Sequence, residues 1–140
     1  MSDNILGELP KTVELPENYF VIRHITLDCR GPLTISADSN WGFFVTVFTQ
    51  SHSTRNWREL GFSAAAIDRP VIVERGTWIG SNAVLYHCHI MEGAIVAAGA
   101  VVRSQIVKPF VMVAGNPARV IARYHDGAWD YLIPRMEILE

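Results

Sequence analysis

The feature that most restricts the fold is a step of six. Ile35, Trp41 and Val47 stand six residues apart, as do Val73, Ile79 and Leu85, and again Ile90, Val96 and Val102. Between Leu85 and Ile90 the step shortens to five. The intervening positions hold small or turn-forming residues, among them Gly76, Gly80, Ser81, Asn82, Gly93, Ala97, Ala98 and Gly99. A half-buried strand repeats every two residues and a helix every 3.6. A period of six, with one large apolar residue per step, is instead the repeat of a β-helix. Each short strand turns a side chain inward, and each corner needs a residue of little bulk. Stacked coils bury one another, so each supplies its neighbour's core.

The run "AIVAAGAVV" taken alone also fits an ordinary buried strand or a stretch of buried helix. The density of Val, Ile and Gly from 67 to 102 argues against the helix. The lack of apolar–polar alternation argues against an ordinary sheet. The expected fold is all-β: a parallel β-helix of hexapeptide repeats, interrupted by one extended loop and followed by an irregular C-terminal tail. The 140 residues form one domain. Residues 1–19, with Pro10 and Pro16 and no sustained period, read as an N-terminal arm or irregular lead-in. The first coils span 20–52, the loop 53–69, the later coils 70–121 and the tail 122–140.

Composition excludes several functions. Apolar residues make up 49% of the chain and charged residues 19%, which suits a packed core rather than disorder. A formal charge of −2 points to neither a nucleic-acid nor a membrane-surface partner. Cys29 and Cys88 suggest no disulfide framework, in keeping with a reducing compartment. The acidic start "MSDNILGELPKTVELPENYF" has no secretory or membrane-spanning pattern. A cytoplasmic protein is expected.

The segments "TWIGSNAV", "EGAIVAAGAVV" and "VAGNPARVI" resemble the hexapeptide-repeat acyltransferases, most nearly the maltose, galactoside and related sugar O-acetyltransferases. The resemblance covers roughly residues 33–123. It implies a left-handed triangular prism, a homotrimer, and acetyl-CoA held in the cleft between neighbouring subunits. In such enzymes a loop leaves the coils just after a histidine. Here the count of sixes stops at Val47, and His52 stands seventeen residues after Ile35, the family's spacing from a coil position to its active-site histidine. The resemblance therefore makes His52 the catalytic general base. The chemistry suits that role, because a sugar hydroxyl is a poor nucleophile at neutral pH and an imidazole can accept its proton during attack on a thioester.

For the cofactor, the resemblance assigns Ser81 of "WIGS", whose amide would serve the oxyanion, Ala98 along the pantetheine arm, and Arg119 of "NPARVI" against the nucleotide phosphates. It assigns Arg123 and Arg103 less directly. Independently of family, Arg103, Lys108, Arg119 and Arg123 form a basic cluster suited to phosphate. Trp57 and Arg58, an aromatic beside a donor, are expected to rim the site of a sugar-type acceptor. The family's asparagine about thirty residues before the histidine has no counterpart near Ile22, and His24 or Asp28 are the nearby substitutes. That gap leaves open a catalytically inactive hexapeptide-fold protein serving in assembly or binding.

The triplet His87-Cys88-His89 raises a metal site. The γ-class carbonic anhydrases bind metal near such a segment. When the chain is aligned on Cys88, however, their histidine positions fall on Tyr86 and Ser81. No metal is expected, and His87 and His89 read as outward-facing turn residues. The tail "YHDGAWDYLIPRMEILE" reads as a strap over the coils or a contact between subunits.

Overall fold

A computed structural model describes residues 4–16 and 18–132. Three ladders of short strands run along a common axis. On the first face, Ile5–Leu6, Thr26–Asp28, Thr46–Phe48 and the leading halves of Val84–Ile90 and Val101–Val107 pair in parallel. The second face carries Leu33–Ile35, Val71–Val73 and the trailing halves of the same two long strands. The third face stacks Ser39–Trp41, Thr77–Ile79, Ile95–Val96 and Val111–Ala114. A chain that visits three parallel ladders in rotation is a coil of triangular section.

All nine residues of the six-step count point inward. Ile35, Val47, Ile79, Leu85, Ile90, Val96 and Val102 have no exposed surface, and Trp41 and Val73 are 1% exposed. Full burial of each such side chain contributes roughly 1.5–3 kcal/mol. Two residues before each lies a second inward position, often small: Ala83 before Leu85, Ala94 before Val96, Ala100 before Val102. Trp41 is accommodated because its indole N–H donates to Ser39 Oγ at 2.9 Å.

The shortened step has a structural cause. Between the first and second faces the chain turns on one residue, His87 in one coil and Ser104 in the next, at φ 48° and 51°. One left-handed residue replaces a longer corner, so Val84–Ile90 bends across two faces without losing its pairing. His87 and His89 thus belong to a bent strand, and His89 Nε2 pairs with a Glu74 carboxylate oxygen.

The lead-in is irregular and lies against the coils. Ile5–Leu6 adds a strand to the first face, Val13 bridges Ile35, and Val13, Leu15 and Phe20 are buried against the first coil. The start of the tail is more regular than expected. Arg119–His125 folds back antiparallel on Val111–Ala114, and Ala128–Tyr131 pairs with it in turn. The rest of the tail, 133–140, lies outside the described residues.

Candidate active site

The chain leaves the coils at the corner between the first and second faces. Gln50–His52 and Ala66–Asp68 form an antiparallel stem, with Gln50 opposite Asp68 and His52 opposite Ala66. The tip holds the short helix Trp57–Leu60 and a single 3-10 turn, Gly61–Ser63. Arg69 N–H donates to Thr49 O at 2.7 Å and closes the base.

A buried polar knot anchors that base. The Asp28 carboxylate, 1% exposed, accepts from Arg30 Nε at 2.7 Å, from Arg30 Nη2 at 3.1 Å and from Thr49 N–H at 3.2 Å. Thr49 Oγ1 donates to Asp28 O at 2.7 Å and accepts from Gly31 N–H at 2.9 Å. Burial alone would push the Asp28 carboxyl up. The hydrogen bonds from Arg30 and Thr49, together with the guanidinium charge, outweigh it and hold the carboxyl below its ordinary value. A Cβ on Gly31 would lie 2.3 Å from Thr49 O, so the knot requires glycine there. Asp28 is thus fully engaged in holding the loop, and His24 stacks on Phe44 at a different corner. Neither takes the place of the missing asparagine beside His52.

His52 sits at the end of the stem, with Nδ1 2.8 Å from Ala64 O. A carbonyl only accepts, so Nδ1 carries a hydrogen, and in the neutral ring the lone pair is on Nε2. The edge of Phe62 meets the imidazole at 6.1 Å between centroids, and Trp57 meets Phe62 in turn at 5.2 Å. A cavity of about 600 Å³ opens beside the ring, lined by Ser51, His52, Arg55, Arg69, Tyr86 and Arg103 among others. Trp57 and Arg58 are not among its lining residues; Trp57 reaches His52 through Phe62. Arg55 and Arg69 line it instead. Both lie inside the interrupting segment, where no repeat indicates which side chains turn toward the histidine.

Ser81 and Ala98 stack at another corner, between the third and first faces. The ladder that aligns Trp41 with Ile79 and Ile79 with Val96 also brings Gly42 under Gly80 and Ser81 under Ala98. Ser81 Oγ accepts from Phe43 N–H at 3.0 Å. The Ser81 N–H has no hydrogen-bond acceptor among the described residues. A first-face strand separates this corner from that of His52. At about 3.3 Å per residue its three residues span roughly 10 Å, so one chain does not bring Ser81 and His52 into a single cavity.

The basic cluster divides. Arg103 pairs with Tyr86 across the first face and lines the His52 cavity. Lys108, Arg119 and Arg123 line a separate cavity of about 550 Å³, with Val107, Val111 and Val113. Among the described residues, no group of His, Cys, Asp and Glu is arranged to hold a metal ion. No helix among the described residues is long and apolar enough to cross a membrane.

No family model matches the chain. It is 51% identical over 53 residues, 37% of its own length, to a 2,3,4,5-tetrahydropyridine-2,6-dicarboxylate N-acetyltransferase of Staphylococcus aureus, and spans 22% of that relative. Among solved structures it resembles a hexapeptide-repeat containing acetyltransferase from Vibrio cholerae, with 31% identity, a TM-score of 0.65, and coverage of 73% of this chain and 57% of the other. The same enzyme complexed with acetyl coenzyme A gives 30% identity and a TM-score of 0.62, over 73% and 55% of the two chains. A galactoside acetyltransferase in complex with coenzyme A shares the fold at 24% identity, with a TM-score of 0.63 over 83% and 57%. These neighbours are left-handed parallel β-helices. The fold and the family resemblance read from the motifs are both borne out.

Proposed function

We propose that the chain is an acetyl-CoA-dependent acetyltransferase acting on a hydroxyl or amine of a small, sugar-type acceptor, with His52 as general base. The observation that carries this reading is the Nδ1–Ala64 O hydrogen bond, which leaves Nε2 free to accept a proton at the edge of an open cavity. In the reaction, the acceptor oxygen or nitrogen attacks the thioester carbonyl carbon and its proton passes to His52 Nε2. The new C–O or C–N bond forms, the C–S bond breaks, and the proton returns from the imidazolium to the departing thiolate. The oxyanion between these steps needs a preorganised donor, and the unengaged Ser81 N–H suits that role. The neighbour solved with acetyl coenzyme A supports the choice of cofactor.

His52 and Ser81 lie at different corners of one prism, so a single chain holds two incomplete halves. A second copy, its Ser81 corner set against the first chain's His52 corner, completes the site. A homotrimer of three 15.7 kDa chains, about 47 kDa, follows from threefold repetition of that contact. Ala98 lines the pantetheine arm, and Arg119 with Arg123 meets the nucleotide phosphates. The test is thiol release from acetyl-CoA over a panel of acceptors, with light scattering on the same sample. Expected are turnover that needs an acceptor and a trimer mass. An active monomer would remove the shared site.

A further inference from the structure

We infer that the acceptor carries an anionic oxygen group, carboxylate or phosphoryl, which Arg55, Arg69 and Arg103 hold beside His52; this rests on the acetyltransferase reading above. Three guanidiniums line the His52 cavity, and among the described residues none of them has an acidic partner within 4.0 Å. Two acids at the stem and its base are otherwise engaged: Asp28 accepts from Arg30, and Asp68 accepts from Gln50 Nε2 at 3.0 Å. Arg69 makes one long contact, 3.4 Å, to the Asp68 carbonyl. The cavity is therefore lined by three guanidinium groups and no carboxylate, in a chain whose net charge is −2.

Three cations around one cavity repel one another, and a neutral sugar can accept hydrogen bonds from them but offsets none of their charge. They gain charge-assisted, often bidentate hydrogen bonds from a carboxylate or phosphoryl group. The hydroxyls of Ser51, Ser53 and Thr54 on the same wall supply further donors. Arg103 comes from a coil and Arg55 and Arg69 from the loop, so an anion between them ties loop to coil next to the base. Coenzyme A is a second source of phosphate. When its thioester reaches His52, however, the whole pantetheine arm lies between that carbonyl and the phosphates. A cavity of about 600 Å³ containing the histidine does not hold both ends.

The test uses inorganic pyrophosphate and malonate as probes, titrated into the full chain by calorimetry, without coenzyme A and then with coenzyme A saturating. Binding of at least one anion in both series is expected. Arg69→Gln and Arg103→Gln should each weaken it roughly tenfold or more, with Arg55→Gln as a third variant should either fail to fold. Lys11→Gln, the same loss of charge at a distant corner, should leave it unchanged. Absence of anion binding, equal loss in Lys11→Gln, or displacement of the anions by coenzyme A would each overturn the inference, the last by making the cavity a cofactor phosphate site. Failure of coenzyme A itself to bind overturns the acetyltransferase reading instead, and the titration without it still reads the cavity.

Discussion

Asp28 and Thr49 clasp each other twice: the Thr49 amide donates to the Asp28 carboxylate at 3.2 Å, and the Thr49 hydroxyl donates to the Asp28 carbonyl at 2.7 Å. The pair fixes the point at which the chain abandons the coil. Thr49→Val keeps the shape but strands the Asp28 carbonyl and the Gly31 amide in a fully buried position. A loss of about 1–3 kcal/mol is expected, read from the urea midpoint at pH 7.

The same knot sets an acid limit. The folded chain holds the Asp28 carboxyl below its ordinary value, so it binds that proton less readily than the unfolded chain does. Its contribution to stability is complete above the ordinary carboxylate pKa of about 4 and fades as pH falls through the lower folded value. Asp28→Asn should be less stable at neutral pH and lose less on acidification. Denaturation midpoints from pH 7 down to pH 2 check both statements, and parallel curves for the two proteins would contradict them.

Removal of the imidazole should separate chemistry from binding. His52→Gln is expected to lower kcat by roughly 10²–10⁴, while the coenzyme A dissociation constant stays within about twofold. His52 lies on an exposed loop, so stability should move by only a few tenths of a kcal/mol. Retention of most of the activity would end its role as base.

Arg119→Ala addresses the cofactor. Loss of a charge-assisted bond to phosphate should weaken coenzyme A roughly ten- to a hundredfold. Dephospho-coenzyme A should suffer less if the contact is to the 3′-phosphate. Isothermal titration of both nucleotides distinguishes the cases.

Gly42→Ala tests the other corner. The added Cβ would lie 2.4 Å from Ser81 Oγ and 2.5 Å from Ser81 N. One of the two must move, at a cost of about 1–3 kcal/mol. Both the melting temperature and the affinity for coenzyme A should fall, because the displaced group is the one assigned to the cofactor.

Cys88 should be chemically silent. Burial pushes its thiol up to about 12, and the thiolate is the reactive form. At pH 8 a thiol reagent should spare Cys88 in the folded chain and modify it once the chain is unfolded, as peptide mass mapping would read.

The coils were legible because their physics is local and repeated. One inward residue per six, with small residues at the corners, identified Ile35 through Val102 as the core without any tertiary information. The single-residue corners at His87 and Ser104 left only a trace, the shortened step, because a left-handed polar residue carries no compositional signature. The packing of the lead-in left no signal: Val13 bridges Ile35 across the chain and Leu15 joins the same core, which no period announces. At the site, resemblance led to His52, but the residues around it came from non-periodic sequence. Arg55 and Arg69 in the cavity, and the division of Arg103 from Arg119 and Arg123, depend on how a two-stranded stem leans over the first face.

The closure of the loop has a consequence of its own. Thr49 O and Arg69 N stand a hydrogen bond apart, so the coil on either side is continuous whatever lies between them. Residues 50–69 are in effect a cassette plugged into an intact shaft. The cost of closing such a loop rises only slowly with its length, so the segment can be lengthened, shortened or exchanged with little penalty to the shaft. Under the acetyltransferase reading, a lineage built on this plan can alter its acceptor by recutting the segment around His52, while the corners of the coil stay untouched.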